Sequence, residues 1–439
     1  MAPVSTRHLP RVLDEAAKEV ARVLGDKGYR AWIVGGAVRD LLLGRKVNDV
    51  DMTSDARPEV IEQLFEHTVG VGKAFGTVIV VLGEVNIEVT TFRADGCYSD
   101  GRRPDAITYS KTPQEDAARR DFTCNAIFLD PLTEELLDPT GGEDDLAQGL
   151  LQTVGNPKQR FEEDALRLMR LARFAARLDL DVPSEVSAAA KACAPGLANV
   201  SPERILDELS KVLVTKDCHV AVKWMLDLEL LKYAIPGLPK LHCDAYDDQL
   251  SLQRRVATLE WLESNHLASG LAVLLDPLGG DKETARATLA ALRPSKNRLR
   301  EVEALWELLD QIEALDPMEH CETNRGPDRA SRLRILGHPA WPRARDLCAA
   351  YGDARCHDQE LEGGHLGRNG RELSLFESEL TIAEITPEAL LEPKDLEAAG
   401  LPKGKLWGET LAAAYQAQLE GDLNSREEAI TWLSSRPQA

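Results

Sequence analysis

The 439-residue chain has no CxxC cysteine pair, no excess of basic residues, no clear internal repeat and no apolar run of membrane length. Each absence excludes something. Its eight cysteines, at 97, 124, 193, 218, 243, 321, 348 and 356, are scattered, which predicts reduced thiols rather than a disulfide framework. His320-Cys321, Cys348 and Cys356-His357 fit no ordinary zinc spacing, and His357-Asp358 lacks the companion His and Asp of a phosphohydrolase-type site. The longest apolar stretches, such as Val78–Leu82, are of strand length, far below the ~20 residues a membrane helix requires. The opening MAPVSTRHLPRVLDEA lacks the cationic-then-apolar build of a secretory signal. With 52 basic against 73 acidic residues the net charge is −21. A chain so acidic is not expected to coat duplex DNA or an anionic membrane. RNA remains open to it, provided its cations gather on one face. The expected setting is the cytoplasm, with no DNA or membrane partner.

Strand and helix signals alternate over the first 140 residues, and strand signals nearly vanish after about 150. Leu13, Ala16, Ala17, Val20 and Leu24 repeat at helical spacing and end at Gly25. Trp32-Ile33-Val34 reads as a short buried strand, then Gly35-Gly36, then a short helix closed by Gly44. Asp49-Val50-Asp51 reads as another strand, and Thr77–Leu82 with Asn86–Phe92 as a hairpin. Thr112-Pro113-Gln114-Glu115 is a capping box. From Gln159 onward the pattern is helical, with a Gly-, Pro- and Arg-rich boundary at 318–345. The fold class expected is a small α/β head followed by an all-α extension.

Gly35-Gly36-Ala37-Val38-Arg39-Asp40, with Asp49-Val50-Asp51 ten residues beyond Arg39, is the strongest local signal. Two glycines between a strand and a helix let backbone N–H groups approach a phosphate, and Arg39 adds a charge-assisted contact. In a strand, Asp49 and Asp51 point to one side, about 7 Å apart at their Cα atoms. Such a pair suits hard divalent cations and two-metal nucleotidyl transfer. Glu88, between Ile87 and Val89, is a third carboxylate. Either it lies on the solvated side of a hairpin, or an antiparallel neighbour brings it to the metal face. In Arg119-Arg120-Asp121-Phe122-Thr123-Cys124-Asn125-Ala126, arginine suits a triphosphate and Asp121 a ribose hydroxyl, although taken alone the cluster also reads as a basic helix end. Asp164, Arg167, Arg170 and Arg173, spaced by three, line one stripe of a helix with little acid to neutralise them. Glu203-Arg204-Ile205-Leu206-Asp207-Glu208 is, by itself, indistinguishable from a solvated helix face.

In that order, GGAVRD, DVD, RRDFTCNA, EDALRLMR and ERILDE resemble the five motifs of the bacterial-type tRNA nucleotidyltransferases and poly(A) polymerases. The motifs span about half the chain. The resemblance implies a polymerase-β-like nucleotidyltransferase head at 1–150, a helical neck at 151–215, a body at 216–317 and a tail at 318–439. It implies Mg2+ on Asp49 and Asp51, and Glu88 stays the candidate for a further catalytic carboxylate. It places the nucleotide on Gly35, Gly36, Arg39, Arg120 and Asn125, the ribose on Asp121, and the base on Asp164, Arg167, Arg170 and Arg173. The implied substrates are ATP, CTP and the tRNA 3′ acceptor end. An Asp–Arg pair suits them: carboxylate accepts and guanidinium donates, matching the amine beside a ring nitrogen on cytosine and adenine. Uracil and guanine set a carbonyl against the carboxylate.

Three activities share these motifs. Poly(A) polymerases usually carry a basic Gly-Arg-Arg/Lys-Phe segment where this chain has Val71-Gly72-Lys73-Ala74-Phe75-Gly76-Thr77. CC-adding enzymes typically lack the loop that is intact here from Arg93 to Pro104. Full CCA addition is the expectation, with A-addition as the alternative and a noncatalytic RNA-binding relative disfavoured by the intact acids. Arg325, Arg329, Arg332, Arg334, Arg343 and Arg345, near Trp341 and Tyr351, form the densest basic run. It reads either as a grip on tRNA phosphates or as a solvated helix pair.

Overall fold

A computed structural model describes residues 9–70, 76–94, 108–238, 248–263, 265–276, 282–315, 327–356 and 365–435. The chain forms two compact units: Met1–Val212 with Val220–Leu238, and Leu213–His219 with Pro239–Ala439. The first begins with α1 (Arg11–Gly25), whose Ala16, Ala17, Val20, Ala21 and Leu24 are buried. It continues through β1 (Ala31–Val34), α2 (Gly36–Leu42), β2 (Asp51–Ser54), α3 (Pro58–Leu64), β3 (Thr68–Val69), β4 (Thr77–Leu82) and β5 (Val85–Thr91). Then come β6 (Arg93–Ala94), β7 (Thr108–Tyr109), α4 (Pro113–Ala118), β8 (Phe128–Leu129), β9 (Leu136–Leu137) and α5 (Gly142–Ala147). Four helices follow: α6 (Pro157–Glu163), α7 (Leu166–Leu178), α8 (Ser184–Cys193) and α9 (Pro202–Leu213).

The strands form a mixed seven-stranded sheet in the order β3-β4-β5-β2-β1-β8-β9, with β6-β7 as a separate ribbon. All four residues of the central β1 are buried, as expected of a strand covered on both faces. Trp32 and Val34 pack with Phe92, Ala117, Ala126, Phe128 and Val154. The β4–β5 hairpin turns at Gly83, whose φ of +62° is costly for any residue with a Cβ. Where the sequence suggested an antiparallel neighbour for Glu88, β2 and β5 pair in parallel, and this register sets Asp51 beside Glu88. Asp49 precedes β2 instead of lying within it. Thr112 caps α4 by accepting from the Glu115 N–H, but the Glu115 carboxylate turns to the Lys111 N–H, so the capping box closes only halfway.

Gly142 opens α5 hard against the 123–125 turn: an added Cβ would sit 2.2 Å from the Thr123 carbonyl oxygen and 3.1 Å from the Cys124 nitrogen. Backbone cannot yield as a side chain does. Gly142→Ala is expected to cost about 1–3 kcal/mol by overpacking. Chemical denaturation should show a lower midpoint at unchanged slope, and an unchanged midpoint would contradict this packing.

Within the second unit, the expected Arg-rich boundary is helix, Pro327–Leu336 followed by Trp341–Cys356. Trp341–Cys356 packs closely against His365–Ser378, since a Cβ at Gly370 would lie 2.4 Å from the Cys348 Cβ. Asn369 donates to the carbonyls of Ile312 and Leu315 at the end of Lys296–Glu313. The last helices share a core of Leu391, Leu396, Ala414, Leu423, Ala429 and Leu433.

Candidate active site

The 30s, 50s, 80s, 120s and 160s of the chain converge on one cavity of about 550 Å3 in the first unit. Every candidate site residue read from the sequence lines it: Gly35, Gly36, Arg39, Asp49, Asp51, Glu88, Arg120, Asp121, Asn125, Asp164, Arg167, Arg170 and Arg173. Sheet register explains the acidic edge. Asp51 pairs across β1 with Val34, the residue before Gly35, and across β5 with Glu88. Burial, then the Glu88 and Asp49 charges, push the Asp51 carboxyl up to about 6 against the pull of Arg120. Gly35 takes φ +73° and ψ −127°, a conformation open to glycine.

Facing this edge is a wall of arginines in fixed poses. Arg39, 3% exposed, donates to the Asn125 side-chain oxygen at 2.7 Å and to Asp40 at 2.9 Å. Asn125 in turn donates to Asp121 at 3.2 Å, and its carbonyl accepts from Arg120 at 3.1 Å. Asp116, fully buried, accepts from both Arg119 and Arg120. Burial opposes its charge, but the two guanidiniums hold the carboxyl below its ordinary range. Asp121 is likewise buried and yet lowered, by Arg170, Asn125 and the Phe122 N–H.

The neck segment departs from its sequence reading. Asp164 is not on the helical stripe: it sits in the break between α6 and α7 with φ −148° and ψ 102°. There it accepts from the Leu166 N–H at 3.1 Å and from Arg204 at 2.7 Å. Nor is its partner Arg167, which donates to Glu163, the Arg160 carbonyl and the Arg119 carbonyl. The stripe is also not short of acid, because Arg170 pairs with Asp121 at 2.6 Å and Arg173 with Glu208 at 2.5 Å. Glu208 is 1% exposed, so the ERILDE segment is no solvated face. It supplies Arg204 to the cavity and Glu208 to the arginine behind it.

The Poly A polymerase head domain family matches residues 31–152, and the family described as the probable RNA and SrmB- binding site of polymerase A matches residues 179–241. A CCA-adding enzyme of Bacillus pumilus is 32% identical over 418 residues, 95% of this chain and 96% of the relative. One from Geobacillus kaustophilus is 33% identical over 433 residues, 96% and 97% of the two chains. The chain belongs to the CCA-adding enzyme family. It is thus a tRNA nucleotidyltransferase. A crystal structure of the Bacillus stearothermophilus CCA-adding enzyme in complex with CTP superposes with a TM-score of 0.74 at 29% identity, covering 97% of each chain.

Within this family frame, the cavity also takes in Asp40, Arg93, Arg119, Phe174, Arg177 and Arg204, which sequence reasoning assigned no role. Asp40, Arg119 and Arg204 stood inside the quoted motifs; the pairing of Arg177 with Asp40, at 3.9 Å, has no local signal. Among the described residues, no three His, Cys, Asp or Glu side chains form a ready-made cage. Magnesium, however, is usually held by one or two carboxylates together with substrate phosphates and water. Mutually repelling Asp49, Asp51 and Glu88 on one cavity fit that mode.

Outside this site, several arginines of the basic run from 325 to 345 have partners within the second unit, while Arg334 and Arg345 stay exposed. Arg329 donates to the Leu419 carbonyl, Arg334 to Gln416 and Arg345 to Glu377, and Arg332 is 3% exposed. Trp341 and Tyr351 are buried, which removes them as stacking platforms. Arg325, residues 71–75 and the expected loop from residue 95 on lie outside the described residues. Cys124, Cys193, Cys218 and Cys348 are unpaired and buried. Burial pushes the Cys124 and Cys348 thiols up to about 12, so neither is a nucleophile near neutral pH. No helix among the described residues is long and apolar enough to cross a membrane.

Proposed function

We propose that this chain builds the 3′ CCA end of tRNA from CTP and ATP without a nucleic-acid template. The observation that carries this reading is the single cavity where the Asp49/Asp51/Glu88 edge faces the arginine wall. Full CCA addition, not addition of the terminal A alone, follows the names of the relatives and of the CTP-bound neighbour. The working parts are the head at 1–150 and the neck at 151–215, with every cavity residue numbered below 215. The body at 216–317 and the tail at 318–439 are left to hold the tRNA. Buried unpaired thiols suit a cytoplasmic setting.

The tRNA 3′-hydroxyl attacks the α-phosphorus of the incoming nucleotide, a new phosphodiester bond forms, and the α–β bond breaks to release pyrophosphate. Asp49 and Asp51 would hold magnesium, which when bound would supply Lewis-acid activation of the hydroxyl and charge neutralisation on the phosphates. Glu88, in register with Asp51, is the candidate third acid for the hydroxyl proton. Arg39 and Arg120, held by Asn125 and Asp116, meet the triphosphate. Asp121, held by Arg170 and Asn125 on the cavity wall, is the residue assigned to the ribose. Asp164 reads the base amine, with Arg167 and Arg204 as its guanidinium neighbours in the cavity. The reading is tested with tRNA transcripts ending before CCA, after C and after CC. All three should reach CCA with both nucleotides, and the first should stop at CC with CTP alone. Extension of the CC-ended transcript only would show an A-adding enzyme instead.

A further inference from the structure

Resting on that reading, we propose that Phe174 is a positioning residue whose ring holds three nucleotide-facing arginines in one array by cation–π attraction. The guanidinium carbons of Arg39, Arg170 and Arg173 lie 5.3, 5.2 and 4.3 Å from its ring centroid. All are within the ~6 Å reach of the interaction. The ring comes from α7, as do Arg170 and Arg173, whereas Arg39 comes from α2, so one side chain ties two segments of the cavity. Phe174 is 5% exposed and lines the cavity itself. The ring also meets Phe122 in a T-shaped contact, 5.7 Å between centroids and 79° between planes.

Three guanidiniums around one ring repel one another, and each already has its own acid: Asp40, Asp121 or Glu208. A further carboxylate between them would relieve the repulsion, but it would also repel the triphosphate. The negative faces of a ring attract cations without carrying a formal charge. An aromatic at this point therefore gathers the arginines and leaves their outward charge for the anion. A purely space-filling role predicts instead that any ring of this shape serves equally well.

Fluorinated phenylalanines at position 174 separate the two, since successive fluorines drain the ring quadrupole while the shape changes little. With one, two and three ring fluorines, the dissociation constant for CTP measured without tRNA should rise stepwise, reaching about tenfold at three. The melting temperature should stay flat across the series. A flat affinity series, or a melting temperature that falls in step with affinity, overturns the inference while leaving the nucleotidyltransferase reading intact. A wild type that binds no CTP overturns that reading, and this inference with it.

Discussion

Asp51→Asn is expected to abolish nucleotide incorporation and, at the same time, to make the metal-free protein harder to melt at pH 8. The two effects have one cause. Desolvation at the cavity edge, then the charges of Glu88 beside it and Asp49 two residues before it, raise the Asp51 carboxylate to about 6 from an ordinary value of about 4. A carboxylate raised in the folded state favours that state while protonated. Below about pH 4 both states hold the proton and nothing is lost. Between about 4 and 6 the unfolded chain ionises first, so the folded state loses ground, and above 6 the full penalty is in force. The residue still reaches solvent, so screening cuts the penalty to about 1 kcal/mol. Removing it should raise the melting temperature by about 2–4 °C at pH 8, with the gap to wild type closing at pH 4. Magnesium should raise the wild-type melting temperature and leave Asp51→Asn nearly unmoved. Melting curves across pH, with and without the ion, check every part. A variant less stable than wild type at pH 8, or one retaining more than a few per cent of incorporation, would remove Asp51 from the cation site.

What could be read from the sequence was whatever repeats at short spacing. The Gly35-Gly36 turn and the change from sheet to helix near residue 150 were legible because backbone periodicity and steric demand act within a few residues. Partnerships were not. Arg167 sits three residues from Asp164, and that spacing suggested a pair; yet the helix breaks between α6 and α7, and Asp164 turns to Arg204, 40 positions away. Arg173 looked unneutralised because its acid, Glu208, lies on another helix. The direction of β2 relative to β5 is set by a crossover through α3 and the hairpin, and so it too was invisible in the residues around Glu88. In the tail, an arginine that donates to a carbonyl, as Arg329 does, has the same sequence signature as one awaiting a phosphate.

Asp164→Asn should change which bases are accepted, beyond any change in how fast they are used. The wild-type carboxylate only accepts hydrogen bonds, so it favours the exocyclic amine of cytosine or adenine and opposes the carbonyl of uracil or guanine. Asparagine offers an amide N–H in the same volume, and this donates to the carbonyl. It keeps one of the two bonds that define the α6–α7 break: Leu166 N–H and Arg204 donate to different carboxylate oxygens, and the single amide oxygen can replace one of them. A site built to bond one polar group discriminates by large factors when that group is exchanged. The preference for CTP over UTP should therefore fall about a hundredfold or more in Asp164→Asn. Asp164→Ala, which offers neither donor nor acceptor, should relax selection without favouring UTP, and should lose some stability with the two bonds. Single-nucleotide incorporation into a transcript ending before CCA, run with each of the four triphosphates, reads both variants directly. If both are slower but keep the wild-type order of preference, then Asp164 serves only the turn between the helices. In that case the base must be read by Arg167, Arg204 or backbone groups at the same end of α7.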